Sequence, residues 1–192
     1  MAERVYTTPG IVLRKYEVGE ASVSVLVLTK EHGLVRLRAQ SARRGTGKLR
    51  YGLEPMTLGT YSFVRGMQSQ RLVGVEVNEM LLSPKHGAAR QAAGQISRLL
   101  IRLMPGEAFD DSIFALVEGG LRYLCALEAT EVSEAECAIV LALLSRLGYL
   151  SENPTFLSFA DEPLSPENLS RMKSLRSEAV RTINHALGLS GL

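Results

Sequence analysis

The sequence has no tryptophan, only two cysteines, and aromatics at 6% of its 192 residues. Cys125 and Cys137 cannot make a disulfide framework, and neither sits in a Cys-x-x-Cys pair, so the chain reads as a cytosolic protein with reduced thiols. No stretch of 18 or more residues is free of charge, so no membrane span is expected. The opening MAERVYTTPG lacks an apolar h-region, and no secretory signal is expected. The three histidines, His32, His86 and His185, are far apart and lack metal-ligand spacing, so no metal site is expected. Gly45-Thr46-Gly47-Lys48 resembles a fragment of a phosphate loop, but Ala42 stands where the first glycine belongs and Leu49 where Ser or Thr belongs. A dinucleotide fingerprint fails at Arg50, where its third glycine would be. No Gly-x-Ser-x-Gly elbow occurs. Asp110-Asp111 is accounted for by a helix start, and no other carboxylate pair stands out. No catalytic residue is therefore assigned, and the chain is expected not to be an enzyme.

What is present is apolar and unevenly charged. Hydrophobic residues make up 46%, too many for a disordered chain and enough for one ordinary domain or two small ones. Residues 1–82 hold 12 Lys/Arg against 7 Asp/Glu, a net +5, whereas residues 83–192 hold 10 against 13, a net −3. This split points to two units with different partners, the first suited to an acidic polymer.

Periodicity divides the chain at the same place. Up to residue 80 it alternates as β-strands do. Five strands are expected: Val5 to Arg14, Ser22 to Thr29, Leu34 to Ala39, Met56 to Val64 and Arg71 to Val77. In the third, Val35, Leu37 and Ala39 share one face and Arg36 and Arg38 the other. Gly33 supplies a positive φ for the turn before it, Arg65-Gly66-Met67-Gln68 joins the last two strands, and residues 40–52 form a longer loop. Five short strands in about 80 residues suit a small closed barrel, which leaves no edge to cover. From residue 84 the period becomes helical, with helices expected over about 84–104, 110–128, 133–147 and 166–187. Ser133-x-x-Glu136 reads as a capping box with Val132 stapled on Cys137. The run Ala138 to Leu144 is apolar on every side, so that helix should be central. Residues 151–164, with Pro154 and Pro163, read as a surface loop, and Ser165-Pro166 as the start of the last helix.

The chemistry lies in a basic segment. Arg36, Arg38, Arg43, Arg44, Lys48 and Arg50 occur with no acid between Glu31 and Glu54. Uncompensated cations repel one another, and a polyanion relieves that repulsion while releasing its own counterions. Arg14, Lys15, Arg65 and Arg71 are further candidates for such a track. Tyr51, Tyr61 and Phe63 lie close by in sequence and are candidates for stacking on unpaired bases if they face outward. The alternative is a solvated basic loop with core aromatics, and burial is the ordinary role of any one aromatic taken singly. The same residues would serve RNA as well as DNA, and a protein–protein adaptor with no nucleic-acid activity stays open. A groove between the apolar helices would suit an apolar peptide, although the sequence identifies none.

These residues carry a resemblance. Thr8-Pro9-Gly10-Ile11-Val12-Leu13-Arg14, then Tyr16-x-x-Gly19-Glu20-Ala21, resembles the first strand and turn of the bacterial recombination mediator RecO family. So does Leu28-Thr29-x-Glu31-His32-Gly33, and Ala39-x-Ser41-Ala42-Arg43-Arg44 leading to Gly52-Leu53-Glu54-Pro55 is similar to the family's basic loop and next strand start. Leu147-Gly148-Tyr149 resembles a segment of its helical domain. The likeness is specific in residues 8–55 and generic after residue 80. It implies an α+β protein: a five-stranded OB-fold β-barrel over residues 1–80, followed by a C-terminal α-helical domain over residues 81–192. It also implies binding of single- and double-stranded DNA, strand annealing in recombinational repair, action in the cytoplasm at the nucleoid, and work with RecR, the C-terminal tail of single-strand binding protein and, indirectly, RecA. Many members carry a four-cysteine zinc motif after the Leu-Gly-Tyr helix. Here that stretch is Ser151-Glu152-Asn153-Pro154-Thr155-Phe156-Leu157, so neither zinc nor any other cofactor is expected. The chain is also shorter than the longer members.

Overall fold

The structure is a computed structural model that describes residues 4–40, 47–66, 70–81, 87–104, 110–150 and 154–189. It divides into two compact units, the first of Met1–Ser83 with Met104–Phe114, the second of Pro84–Leu103 with Ala115–Leu192.

The first unit is built on five strands, β1 (Val5–Val18), β2 (Ser22–Thr29), β3 (Gly33–Ala39), β4 (Thr57–Arg65) and β5 (Gln70–Met80). They close in the order β1-β2-β3-β5-β4, with β4 returning to pair with β1. All pairings are antiparallel except β3 with β5, which is parallel over Leu37↔Gln70 and Arg38↔Arg71. This is the five-stranded closed barrel that the alternation predicts, in keeping with the OB-fold that the resemblance implies. Gly33 has φ +64° and turns β2 into β3, where Thr29 Oγ1 donates to its carbonyl at 2.9 Å and accepts from the His32 N–H at 3.0 Å. The core holds Val12, Val23, Val25, Val27, Val35, Leu37, Tyr61, Phe63 and Leu72.

Residues 40–52 are not all loop. A short helix, α1 (Gly47–Gly52), lies between β3 and β4, and Leu49 and Leu53 add to the barrel core. At six residues it is too short to show a helical period. The Tyr61 hydroxyl donates to the Gly52 carbonyl at 2.9 Å, with the Thr57 carbonyl a second acceptor at 3.3 Å. Burial pushes its ionisation well above the usual phenol range.

The helices of the rest of the chain are α2 (Gly87–Leu103), α3 (Asp111–Ala126), α4 (Val132–Arg146), α5 (Pro154–Asp161) and α6 (Pro166–Leu189). As its all-round apolarity predicts, α4 is central: ten of its residues are buried, from Val132 to Leu144. Its start differs from the expected capping box. Glu131 is the N-cap and makes no side-chain cap bond, and Val132 is already helical. Ser133 lies inside the helix rather than at its N-cap, and its Oγ donates to the Glu134 carboxylate at 2.9 Å. Gly148, at φ +76°, ends α4, and the N–H groups of Tyr149 and Leu150 return to the Leu144 carbonyl.

The expected surface loop over residues 151–164 is also corrected, because α5 occupies its middle. Phe156 is fully buried and Phe159 nearly so, both packed with Cys137, Leu141 and Met172. The prolines that suggested a loop are punctuation: Pro154 opens the helix, where its missing N–H costs nothing, and Pro163 follows its end. The start of α6 is as read, with Ser165 Oγ accepting the Asn168 N–H at 3.3 Å. Among the described residues, no helix is long and apolar enough to cross a membrane.

Candidate nucleic-acid interface

The interface begins with a bulge. Up to Val12, the even-numbered residues of β1 point into the barrel. The register with β2 then slips between Val12 and Arg14, so that Arg14 pairs with outward Leu26 and Tyr16 with outward Ser24. One extra residue, Leu13, thereby transfers Arg14 and Tyr16 to the outer surface.

Cross-strand pairing extends two rows from there. One runs Arg14–Leu26–Arg36 over β1, β2 and β3. The other runs Tyr16–Ser24–Arg38–Arg71 over β1, β2, β3 and β5. Partners directly across a ladder share a face, so these four arginines and the tyrosine form one surface, about 14 Å across at ~4.8 Å per strand. Arg14, Arg36, Arg38 and Arg71 are exposed. Leu26 and Ser24, on the central strand, are each only 6% exposed although they point outward, because longer side chains flank them on both sides.

Tyr16 organises the charges. The Arg14 guanidinium lies 4.9 Å and that of Arg36 5.3 Å from its ring centroid. Each contact supplies about 0.5–1 kcal/mol at an exposed site, enough to orient a long side chain but not to neutralise it. The described ion pairs do not include Arg14, Arg36 or Arg38. Such a face presents planar donor forks to anionic oxygens beside an aromatic ring.

The other candidates are distributed elsewhere. Lys15 alternates to the opposite side and is held by Glu54 at 2.6 Å, a half-buried pair. Arg65 stands over Tyr6 with its guanidinium 5.0 Å from the centroid. Arg50 and Tyr51 are exposed on α1, the tyrosine 60% so. Arg43, Arg44 and the Lys48 side chain lie outside the described residues. Tyr61 and Phe63 require correction as base-stacking candidates. Both are 0% exposed, because β4 turns them into the barrel. Tyr16 was missed, although Arg14-x-Tyr16 has the two-residue spacing of a shared strand face. Among the described residues, no group of three His, Cys, Asp or Glu is placed to hold a metal.

Residues 1–81, which contain this barrel, match the family described as Recombination protein O N terminal. The chain is similar to the RecO family, over the barrel above all. A DNA repair protein RecO of Heliobacterium modesticaldum is 30% identical over 150 residues, covering 78% of this chain and 54% of the relative. One from Synechococcus is 30% identical over 163 residues, with the same 78% and 54% coverage. One from Gloeobacter violaceus is 25% identical over 170 residues, covering 88% of this chain and 64% of the relative. The chain thus spans about half the length of the first two RecO relatives.

Proposed function

We propose that this chain is a non-catalytic DNA-binding protein of recombinational DNA repair, which anneals complementary strands and helps load the recombinase RecA. The observation that carries the reading is the outward face of Arg14, Tyr16, Arg36, Arg38 and Arg71. Its relatives bear the name DNA repair protein, which agrees with that chemistry. Phosphates entering the face replace repulsion among like charges by charge-assisted hydrogen bonds and release condensed counterions. When two strands are held this way, their mutual repulsion falls and base pairing proceeds. Arg43, Arg44, Lys48 and Arg50 would extend the track. Tyr51, with its exposed ring, is the stacking candidate left, at ~1–3 kcal/mol per base. In this reading the partners are single- and double-stranded DNA, RecR, the C-terminal tail of single-strand binding protein and, indirectly, RecA. It operates in the cytoplasm at the nucleoid, and no metal or cofactor takes part.

The test is annealing of two complementary oligonucleotides, bare and coated with single-strand binding protein, by this chain and by its Arg36→Ala/Arg38→Ala variant. Acceleration by the wild type and its loss in the variant are expected. Equal rates for both proteins would refute the reading, as would binding of matched RNA but not DNA.

A further inference from the structure

A second arginine–tyrosine–arginine cluster sits at the other end of β1. The guanidiniums of Arg4 and Arg65 lie 5.2 Å and 5.0 Å from the centroid of the Tyr6 ring. Tyr6 is half-buried and stacks on core Phe63, with centroids 5.7 Å apart and planes 21° apart. His32, from the β2–β3 turn, meets both rings edge-on, at 5.4 Å from Tyr6 and 5.6 Å from Phe63. The ring is therefore clamped by the barrel core, and the two exposed arginines that share it are supported from below.

Clamping matters because it restricts where the cations can go. A guanidinium pair gathered at one rigid ring is prepaid in side-chain entropy for a bidentate oxyanion. The ring stacked on Phe63 serves the cations, so the chemistry favours a phosphodiester over a base. Tyr6 and Tyr16 are ten residues apart on one strand, a path of ~33 Å at ~3.3 Å per residue. A short oligonucleotide seated on the Tyr16 face does not span that path, whereas a longer strand can, within the 4–16 nucleotides typical of an OB barrel.

We infer that Arg4 and Arg65, seated on Tyr6, form a second phosphodiester-binding site that engages the same single strand once it is long enough to leave the Tyr16 face. This rests on the proposed DNA binding by that face. The experiment titrates dT3 and dT20 against the wild type, Arg4→Ala/Arg65→Ala and Arg36→Ala/Arg38→Ala between 50 and 200 mM salt. The Arg4/Arg65 variant should bind dT3 as the wild type does. On dT20 it should show a salt slope shallower by about 1.4, two phosphates at ~0.7 each, and a weaker affinity. Loss on dT3 and dT20 alike, or on neither, would overturn the second site. Failure of the wild type to bind either oligonucleotide would instead overturn the proposed function. Both substituted positions are exposed, so melting should be little changed. A Tyr6→Phe variant, which keeps the ring, should bind both lengths as the wild type does, and a dT20-specific loss there would contradict the role given to the ring.

Discussion

Removing two charges from the outer face gives a quantitative test. Arg36 and Arg38 are i and i+2 on β3, about 6.6 Å apart along the strand. At that separation two unit charges in water repel by roughly 0.6 kcal/mol, a penalty that bound phosphate removes. If each arginine neutralises one phosphate of a single strand, Arg36→Ala/Arg38→Ala should flatten the plot of log K against log salt by about 1.4. Between 50 and 200 mM salt, wild-type affinity should therefore fall about sevenfold more than that of the variant. The assay is anisotropy of a labelled dT15 across that range, repeated with a second sequence. The loss should be the same for both, because phosphate contacts carry no base information. Stability should hardly move, since both side chains are exposed and, among the described residues, the contact given up is that of Arg36 over Tyr16. An unchanged slope with weakened binding would mean that the two arginines do not neutralise phosphate, and a loss confined to one sequence would refute the backbone mechanism.

Other consequences concern the fold. Tyr61→Phe should cost about 1–3 kcal/mol by leaving a buried carbonyl unpaired, seen as lower melting, while DNA affinity below the transition stays put; weaker binding there would contradict a purely structural role for the Tyr61 hydroxyl. A Cβ on Gly59 would come 2.6 Å from the Glu76 backbone oxygen, whereas one on Gly74 meets nothing within 4 Å. Gly59→Ala should therefore destabilise by at least about 1–3 kcal/mol and Gly74→Ala hardly at all, and equal melting of the two would contradict the β4–β5 register. Phe156→Ala should cost about 3–5 kcal/mol by urea unfolding if α5 is docked as described. Glu167 is held below the usual carboxylate range by a backbone N–H at the start of α6 and by the Ser165 hydroxyl. Its lowered folded value means that its ionised form stabilises above the ordinary carboxylate range and that this is lost as pH falls through the lowered value. Glu167→Gln should remove that part of the acid-side dependence, and identical pH profiles would refute the assignment.

Much of this was open to local reasoning. Strict alternation in Leu34 to Ala39 puts Val35, Leu37 and Ala39 inward and Arg36 and Arg38 outward, whatever the neighbours, since a strand has only two faces. The apolar circumference of Ala138 to Leu144 likewise requires a helix surrounded by others. Local signals failed where two structures share a signature. Pro154 and Pro163 mark loops and helix boundaries alike, and only the pocket lined by Cys137, Leu141 and Met172 gives Phe156 and Phe159 a reason to form a helix. Ser133-x-x-Glu136 has the letters of a capping box, yet the N-cap is Glu131, two residues earlier, and Val132 is already buried in the first turn.

The composition of the arginine face was thus written in the chain, as was its placement on a small barrel, because side-chain alternation and short turns are local properties. Its geometry was not. Leu13 is the extra residue in a ladder with β2, and no property of Leu13 itself announces a bulge. That slip sends Arg14 and Tyr16 outward, and the parallel closure of β3 on β5 sets Arg71 beside Arg38. Register is a relation between strands, settled by which partner surfaces bury together, so it became visible only when the barrel closed.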